Sequence, residues 1–591
     1  MRLAVILRDR CNPSQCSYEC MNFCPVYRNN EDIFSLDHKG KPIISESLCI
    51  GCGICVHKCP LDAVRIINVA DDMREDIIHQ YGPNAFRLFR LPSVHRNSVV
   101  GLLGANGVGK TTVVNIFSGK IIPNFGDFES EPSWDRVLER FAGTALYSYF
   151  KDLADGRIKT VVKPQYVDLI PRYYKGTVRD LLERADETGK LDVIVEEFGL
   201  KNLLNRNLTK LSGGELQLIT IAATFLKDAD FYFFDEPSSY LDIVKRLFVA
   251  RKIRELSEHA NVFVVEHDLA VLDFLADIVY ILYGEPGAFG VVSNPRHVRN
   301  AINAFLLGYL DSENVRIRDY EIMFEVRPPK AQEEPGEVLL EFKDIHVKFE
   351  SGFVLEAPGG MLYRGEIVGV VGPNAIGKTT LVRVLAGEIT PERGMVSVEA
   401  TISYKPQYVK IEESGTVEDY LMGILGIEYT SGFFQNEILH PLGLKKILHK
   451  DVANLSGGET QLVAIAACLG KPADIYLLDE PSAYLDASQR MEVSKVIKRI
   501  IEKRKASGLI VDHDIYFIDM ISDLLLVFTG EPGVHGRANG PYDLHRGMNE
   551  FLRNIGITFR RDPDTGRPRV NKPGSKLDRE QKIKGEYYYI A

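Results

Sequence analysis

One set of short words occurs twice, in the same order, along this 591-residue chain. GANGVGKTT (104–112) returns as GPNAIGKTT (372–380), KPQYV (163–167) as KPQYV (405–409), and LSGGE (211–215) as LSGGE (455–459). FYFFDEP (231–237) pairs with IYLLDEP (475–481), SYLD (239–242) with AYLD (483–486), and EHD (266–268) with DHD (512–514). A repeat of that depth forces two like domains in tandem. The spacing is uneven in one place: Lys110 to Gln165 spans 55 positions and Lys378 to Gln407 only 29, while Ser212 to Glu236 and Ser456 to Glu480 both span 24. The first copy therefore carries an insertion near 130–158, where helical apolar spacing around Ala-Gly-Thr predicts a helical hairpin, either a surface decoration or a partner-docking arm.

Each copy sets an apolar strand (SVVGLL, EIVGVV) before a GxxxxGKT loop and an apolar helix after it, the context a P-loop requires. Gly104, Asn106, Gly107, Gly109, Lys110, Thr111 and Thr112 form the first loop; Gly372, Asn374, Gly377, Lys378, Thr379 and Thr380 form the second. Backbone amides would cradle the phosphates of a nucleotide, the lysines would reach the β and γ groups, and Thr111 and Thr379 would ligate Mg²⁺. Asp235 and Asp479, each ending an apolar strand, are the expected Mg²⁺ holders, and Glu236 and Glu480 the groups that polarise the attacking water. Solvated acids are a poor account of carboxylates that follow four apolar residues unless a cation lies near.

With LSGGE, the glutamines of KPQYV and the histidines of EHD and DHD, roughly residues 75–533 resemble the ATP-binding cassette ATPases in two copies. That resemblance implies that the signature of one cassette faces the P-loop of the other, so Ser212, Gly213 and Gly214 would complete the site of Lys378, and Ser456, Gly457 and Gly458 that of Lys110. It also assigns Gln165 and Gln407 to Mg²⁺ and the γ-phosphate, and His267 and His513 to the γ-phosphate. Two departures stand out. Glu215 and Glu459 end the signature where many transporters carry Gln, and Ala375 replaces the glycine seen at Gly107. Neither removes a required group, so two hydrolytic sites are expected, with rates that the substitution could make unequal. Tyr81 and Phe86 are candidates to stack on adenine in the first copy, Phe349 or Phe353 in the second.

Eight of the nine cysteines fall within the first 59 residues. Cys49, Cys52, Cys55 and Cys59, followed by Pro60, have the spacing of a bacterial ferredoxin loop, and Cys11, Cys16, Cys20 and Cys24, followed by Pro25, form a stretched version. By ferredoxin logic one [4Fe–4S] cluster takes Cys49, Cys52, Cys55 and Cys24, and the other Cys11, Cys16, Cys20 and Cys59. Two Cys₄ zinc sites are the alternative.

The fold class expected is α/β: two tandem P-loop ATPase domains of the cassette type, preceded by an α+β ferredoxin-like double-cluster domain. The boundaries read as 1–74 for the cluster domain, 75–293 for the first cassette, 294–330 for a hinge segment outside either repeat, 331–533 for the second cassette, and 534–591 for a second hinge segment and tail. RPPKAQEEPGE (327–337) reads as a linker. From Arg553 onward ten Lys/Arg face five Asp/Glu, which suggests a solvated tail or an RNA-contacting surface. The net charge of −10 excludes general coating of a polyanion. No apolar run is long enough to span a bilayer, and the cysteine pattern suits a reducing cytoplasm.

A cluster domain fused to twin cassettes resembles the subfamily E, or RNase L inhibitor, family of cassette ATPases over essentially the whole chain. The resemblance implies splitting of ribosomes, with release factor or Pelota as co-factor and retention on the small ribosomal subunit, by a monomer that pairs its own cassettes. A transporter's ATPase subunit and an ATP-coupled iron–sulfur redox protein are the alternatives.

Overall fold

The computed structural model describes residues 2–8, 10–68, 71–324, 336–408 and 415–589, so most of the expected linker, 327–335, lies outside the described residues. Two compact units divide the chain: Met1–Tyr240 with Val249–His267 and Leu275–Asp319, and Tyr320–Ala591 with Leu241–Phe248 and Asp268–Phe274. Among the described residues no helix is long and apolar enough to cross a membrane.

In the first unit, five parallel strands run in the order Ile278–Glu285, Val99–Gly104, Asn261–Val265, Phe231–Asp235 and Thr160–Lys163. The central strands are nearly unbroken runs of Val, Leu and Phe because helices cover both faces. Phe289–Val292, Arg87–Phe89 and Ile77–Gln80 extend the sheet on one side. The second unit repeats the parallel order with Leu524–Glu531, Ile367–Val371, Ser507–Val511, Ile475–Asp479 and Ile402–Lys405. The remaining side of its sheet is mixed and much longer, built from His535–Asp543, Val354–Tyr363, Val338–Lys348 and Arg393–Val398, with Val354–Tyr363 parallel to His535–Asp543 and the other pairings antiparallel. In both sheets the P-loop, the Asp-Glu pair, the histidine and the glutamine leave the carboxyl ends of neighbouring strands, where parallel sheets collect ligands.

The segment expected as a helical hairpin forms helices Trp134–Arg140 and Ala145–Ala154. Its inner face joins the cassette core: Val137 and Phe150 are fully buried, and the Phe150 ring stands 5.8 Å from that of Phe117. The second cassette has the exposed strand Arg393–Val398 in the same interval.

The stretches read as lying outside the repeat prove to be repeated as well. Helix Val298–Leu307 ends at left-handed Gly308 and leads into the hairpin Tyr309–Leu310 with Val315–Arg316. Helix Leu544–Ile555 ends at left-handed Gly556 and leads into the hairpin Phe559–Arg561 with Pro568–Val570. The expectation of a solvated tail also fails, because its arginines are used internally. Arg567 is fully buried, donating to Asp273 at 2.9 Å and to the Tyr516 hydroxyl at 2.7 Å, and Arg561 donates to Asp519 at 2.7 Å.

The first 68 residues form a small layer in which strand Arg2–Ile6 pairs antiparallel with Val64–Asn68. Strand alternation splits its side chains cleanly. Ala4 and Ile6 join Cys20, Cys24 and Cys55 in the layer's own core, while Leu3, Val5 and Leu7 pack on Phe89, Ala288 and Val291 of the first cassette. Arg65 adds a 2.9 Å ion pair to Glu285, and buried Arg87 binds Glu46.

Candidate functional site

Each P-loop helix begins at its lysine, Lys110–Phe117 after Gly109 and Lys378–Leu385 after Gly377. Both glycines stand at φ +98°, and a Cβ there would come within 2.7 Å of the Phe86 ring or 3.1 Å of the Phe353 ring, so only glycine lets ring and loop approach this closely. Phe353, rather than Phe349, thus holds the place equivalent to Phe86. The Tyr81 hydroxyl lies 3.2 Å from Thr112 Oγ1. Lys110 and Lys378 are buried and arch over their loops: Lys110 Nζ donates to Gly104 and Ala105 carbonyls at 2.8 Å each, Lys378 Nζ to Gly372 at 3.0 Å and Pro373 at 2.5 Å. Asn106 is exposed, whereas the Asn374 amide donates to Asp242 at 2.9 Å. Thr111 is exposed at the first turn of its helix and Thr380 half-buried. Ala375 adopts φ +56° where Gly107 has φ +80°. The loop shape survives, with a non-glycine residue held in the left-handed region at a cost of about 1–2 kcal/mol.

Burial first, then the charge of the adjacent glutamate, lifts Asp235 and Asp479 to about 6, against the pull of the lysines beside them. Both carboxylate oxygens of Asp479 are buried without a well-aligned donor among the described residues, although the Thr379 hydroxyl stands close enough to pull its pKa back. A buried acceptor pair left open beside a threonine hydroxyl suits a hard divalent cation such as Mg²⁺.

Glu236 and Glu480 share one geometry. Each sits at φ +48°, in the left-handed region that costs a non-glycine residue. Gln165 Nε2 donates to Glu236 Oε1 at 2.6 Å and Gln407 Nε2 to Glu480 Oε1 at 2.7 Å. His267 and His513 approach the same oxygens at 3.6 and 3.5 Å. Burial pushes Glu480 up, yet His513 beside it, with Lys378 and Lys405, holds it down at about 2. The histidines owe their place to their neighbours: Glu266 Oε1 accepts from the His267 amide at 2.7 Å and from Ser238 at 2.8 Å, and Asp512 Oδ1 from the His513 amide at 2.7 Å and Ser482 at 2.6 Å.

The signature serines are helix caps. Ser212 caps Gly213–Phe225 and Ser456 caps Gly457–Gly470, each in a capping box closed by Glu215 or Glu459. The glutamates that depart from the transporter pattern thus return the bond to the serine amide at 2.8 and 3.0 Å, and they pair with Arg206 and Lys450. Gly213, Gly214, Gly457 and Gly458 form the first turns of these helices, at the positive end of the helix dipole.

Sequence reasoning passed over Lys163 and Lys405, the first letters of KPQYV. Both are buried at the ends of their strands, and burial lowers each to about 8. Their recurrence within identical words was the available signal.

The eight cysteines of the first 59 residues form no disulfide. Cys11, Cys16, Cys20 and Cys59 line one cavity. Cys55 has Cys49, Cys52 and Cys24 as its neighbours of like charge, and burial pushes it, like Cys20, up to about 12. Among the described residues no three His, Cys, Asp or Glu side chains converge as a single ion requires. Backbone N–H groups point at the sulfurs: Ala4 to Cys49 Sγ at 3.3 Å and Ala63 to Cys59 Sγ at 3.4 Å. Donors aimed at thiolates, and thiols that repel one another when ionised, fit a multi-iron cluster, whose charge offsets both burial and repulsion.

Family comparison agrees with the geometry. The family described as "ABC transporter" matches residues 92–239 and 357–483, "Possible Fer4-like domain in RNase L inhibitor, RLI" matches 1–32, and "4Fe-4S binding domain" matches 42–65. The chain is an ATP-hydrolysing protein of the ATP-binding cassette class, with 4Fe–4S clusters at its front and Mg²⁺ with its ATP. An "Uncharacterized ABC transporter ATP-binding protein" of Methanocaldococcus jannaschii is 51% identical over 100% of this chain and 98% of its own length. A solved structure of ribosome-bound archaeal Pelota and ABCE1 is 52% identical with a TM-score of 0.94, covering 100% of this chain and 99% of that one. The crystal structure of archaeal ribosomal stalk protein aP1 with archaeal ribosome recycling factor aABCE1 is 53% identical with a TM-score of 0.83, over 88% of this chain and 99% of that one. The chain belongs to the RNase L inhibitor family, the E subfamily of cassette proteins.

Proposed function

We propose that this chain is a cytoplasmic ribosome recycling factor, which uses ATP to split ribosomes into subunits after termination or rescue. The observation that carries the reading is a doubled catalytic set in one chain, with a cluster domain packed on the first cassette and no membrane-spanning helix among the described residues. Relatives described as a ribosome recycling factor and as ribosome-bound beside Pelota support it.

In this reading Lys110 and Lys378 hold the β and γ phosphates, and Ser456 and Ser212 close the sites from the opposite cassette. Asp235, Thr111 and Gln165 would hold one Mg²⁺, Asp479, Thr379 and Gln407 the other; the metal screens the phosphate charge. Glu236 and Glu480 orient and polarise water, with His267 and His513 steadying the γ-phosphate. Cys24 would join Cys49, Cys52 and Cys55 around one cluster, and Cys59 would join Cys11, Cys16 and Cys20 around the other. Closure of the cassettes moves the cluster domain against a release factor or Pelota on the ribosome, and the protein stays with the small subunit until hydrolysis reopens it. The domain boundaries 1–74, 75–293, 294–330, 331–533 and 534–591 belong to the same proposal.

Sucrose-gradient sedimentation of ribosomes with this protein, ATP and a release factor tests the reading. Free subunits should appear, and the Glu236→Gln/Glu480→Gln variant should remain on the small subunit. If intact ribosomes persist and neither form binds any ribosomal particle, the proposal is wrong.

A further inference from the structure

Nothing in the ATP chemistry described so far uses the two buried lysines that end the strands leading to Gln165 and Gln407. Lys163 ends Thr160–Lys163 and Lys405 ends Ile402–Lys405, each in register beside the strand that ends in the Asp-Glu pair. Neither faces solvent: Lys163 is 0% and Lys405 1% exposed. Lys163 Nζ donates to the carbonyls of Asp235 at 2.9 Å and Glu236 at 3.2 Å, and Lys405 Nζ to those of Asp479 at 2.7 Å and Glu480 at 3.3 Å. A second donor comes from the signature helix. Gln217 Nε2 reaches the Glu236 carbonyl at 2.8 Å, and Gln461 Nε2 the Glu480 carbonyl at 2.6 Å. On its other side the glutamate amide is tied to the next strand, Glu236 to Val265 at 2.9 Å and Glu480 to Val511 at 2.8 Å.

These bonds bracket the one residue of each site whose backbone is held at φ +48°. A strained conformation persists only where its surroundings over-determine it. We propose that Lys163 with Gln217, and Lys405 with Gln461, are positioning residues for hydrolysis, clamping the carbonyl of the water-polarising glutamate so that its carboxylate is aimed. A buried lysine suits the place better than a neutral donor, because its charge also opposes that of two adjacent acids. The inference rests on Glu236 and Glu480 acting on water, and it extends that role to side chains that touch neither ATP nor water.

The test uses the full chain with its clusters loaded. Lys163→Met and Lys405→Met, separately and together, should lower kcat, the double variant by about 100-fold, as expected when a reacting group is displaced by an ångström. ATP affinity, read with a fluorescent analogue, should stay within about threefold, because the P-loop is untouched. Gln217→Leu with Gln461→Leu should lower kcat by about tenfold with the same unchanged affinity. The Glu236→Gln/Glu480→Gln variant runs in parallel. If it hydrolyses ATP normally, the role given to the glutamates fails; if it is inactive while the lysine or glutamine variants keep full kcat, the clamp alone fails. Loss of ATP affinity in step with kcat would also overturn the clamp. Should the lysine variants fail to fold, the glutamine variants decide.

Discussion

The first cassette closes its sheet with two short strands, Ile77–Gln80 and Arg87–Phe89, and receives the side chains of Leu3, Val5 and Leu7 from the cluster domain there. The second cassette builds the corresponding side from Val338–Lys348 and Val354–Tyr363, strands of 11 and 10 residues, and adds Arg393–Val398. Yet the Asp-Glu pair, its glutamine, its histidine and its buried lysine hold nearly the same distances in both. The shared parallel layer therefore fixes these distances, and the mixed side of the sheet is free to vary with what covers it. A long hairpin buries its own face; a short one depends on a second domain.

Removing one of the proposed cluster ligands should break the likeness most. In Cys59→Ser or Cys24→Ser the cluster domain loses the bonds that hold so small a core, and amide exchange in Arg87–Phe89 should rise by about 100-fold or more. Exchange in Val338–Lys348 should not change, and an equal rise in both cassettes would show that the edge is not what separates them. Acid should instead act on both sites alike. Asp235 and Asp479 are both raised to about 6, so in the proposed Mg²⁺ sites a proton bound below that pH would compete with the metal. Mg²⁺-dependent ATP binding should be flat above pH 6 and fall by about tenfold per unit below it, at both sites. For stability the sign is opposite: a carboxylate raised above its unfolded value contributes less as pH climbs from about 4 to 6. The smallest effect concerns Ala375 and Gly107. Ala375→Gly should relieve about 1 kcal/mol of left-handed strain in the second cassette, offset in part by added chain entropy. Gly107→Ala should cost the first cassette about 1–2 kcal/mol, or roughly 2–8 °C in its melting transition, since a Cβ there would also press within 3.3 Å of the Gly287 amide.

Much of this was legible because phosphate chemistry needs fixed residue types at short range. The P-loops, the Asp-Glu pairs and the signatures are each contiguous words, and the cysteine spacings carry the cluster domain in the same way. What escaped depends on contacts between distant segments. Lys163 reads as a solvent charge until its neighbours bury it, and Gln217 is two residues past a signature that drew all the attention. The helix and hairpin that follow each cassette repeat in backbone but not in sequence, because amphipathic faces tolerate substitution that catalytic loops do not. The tail's positive balance suggested solvent or RNA, whereas Asp273 and Asp519, hundreds or tens of residues away, take up its arginines. Phe353 could not be chosen over Phe349 without the close approach to Gly377.

The surface on which the cluster domain rests also sets an order of assembly on the ribosome that makes the chain. Residues 2–68 close on themselves through the pairing of Arg2–Ile6 with Val64–Asn68, but Arg87–Phe89, already paired with Ile77–Gln80, gains its second neighbour only in Phe289–Val292. At about 5–20 residues per second, roughly 220 further residues, or about 10–45 s, separate completion of the cysteine layer from completion of its seat. Throughout that interval the face of Leu3, Val5 and Leu7 lacks Ala288 and Val291, the later half of its seat.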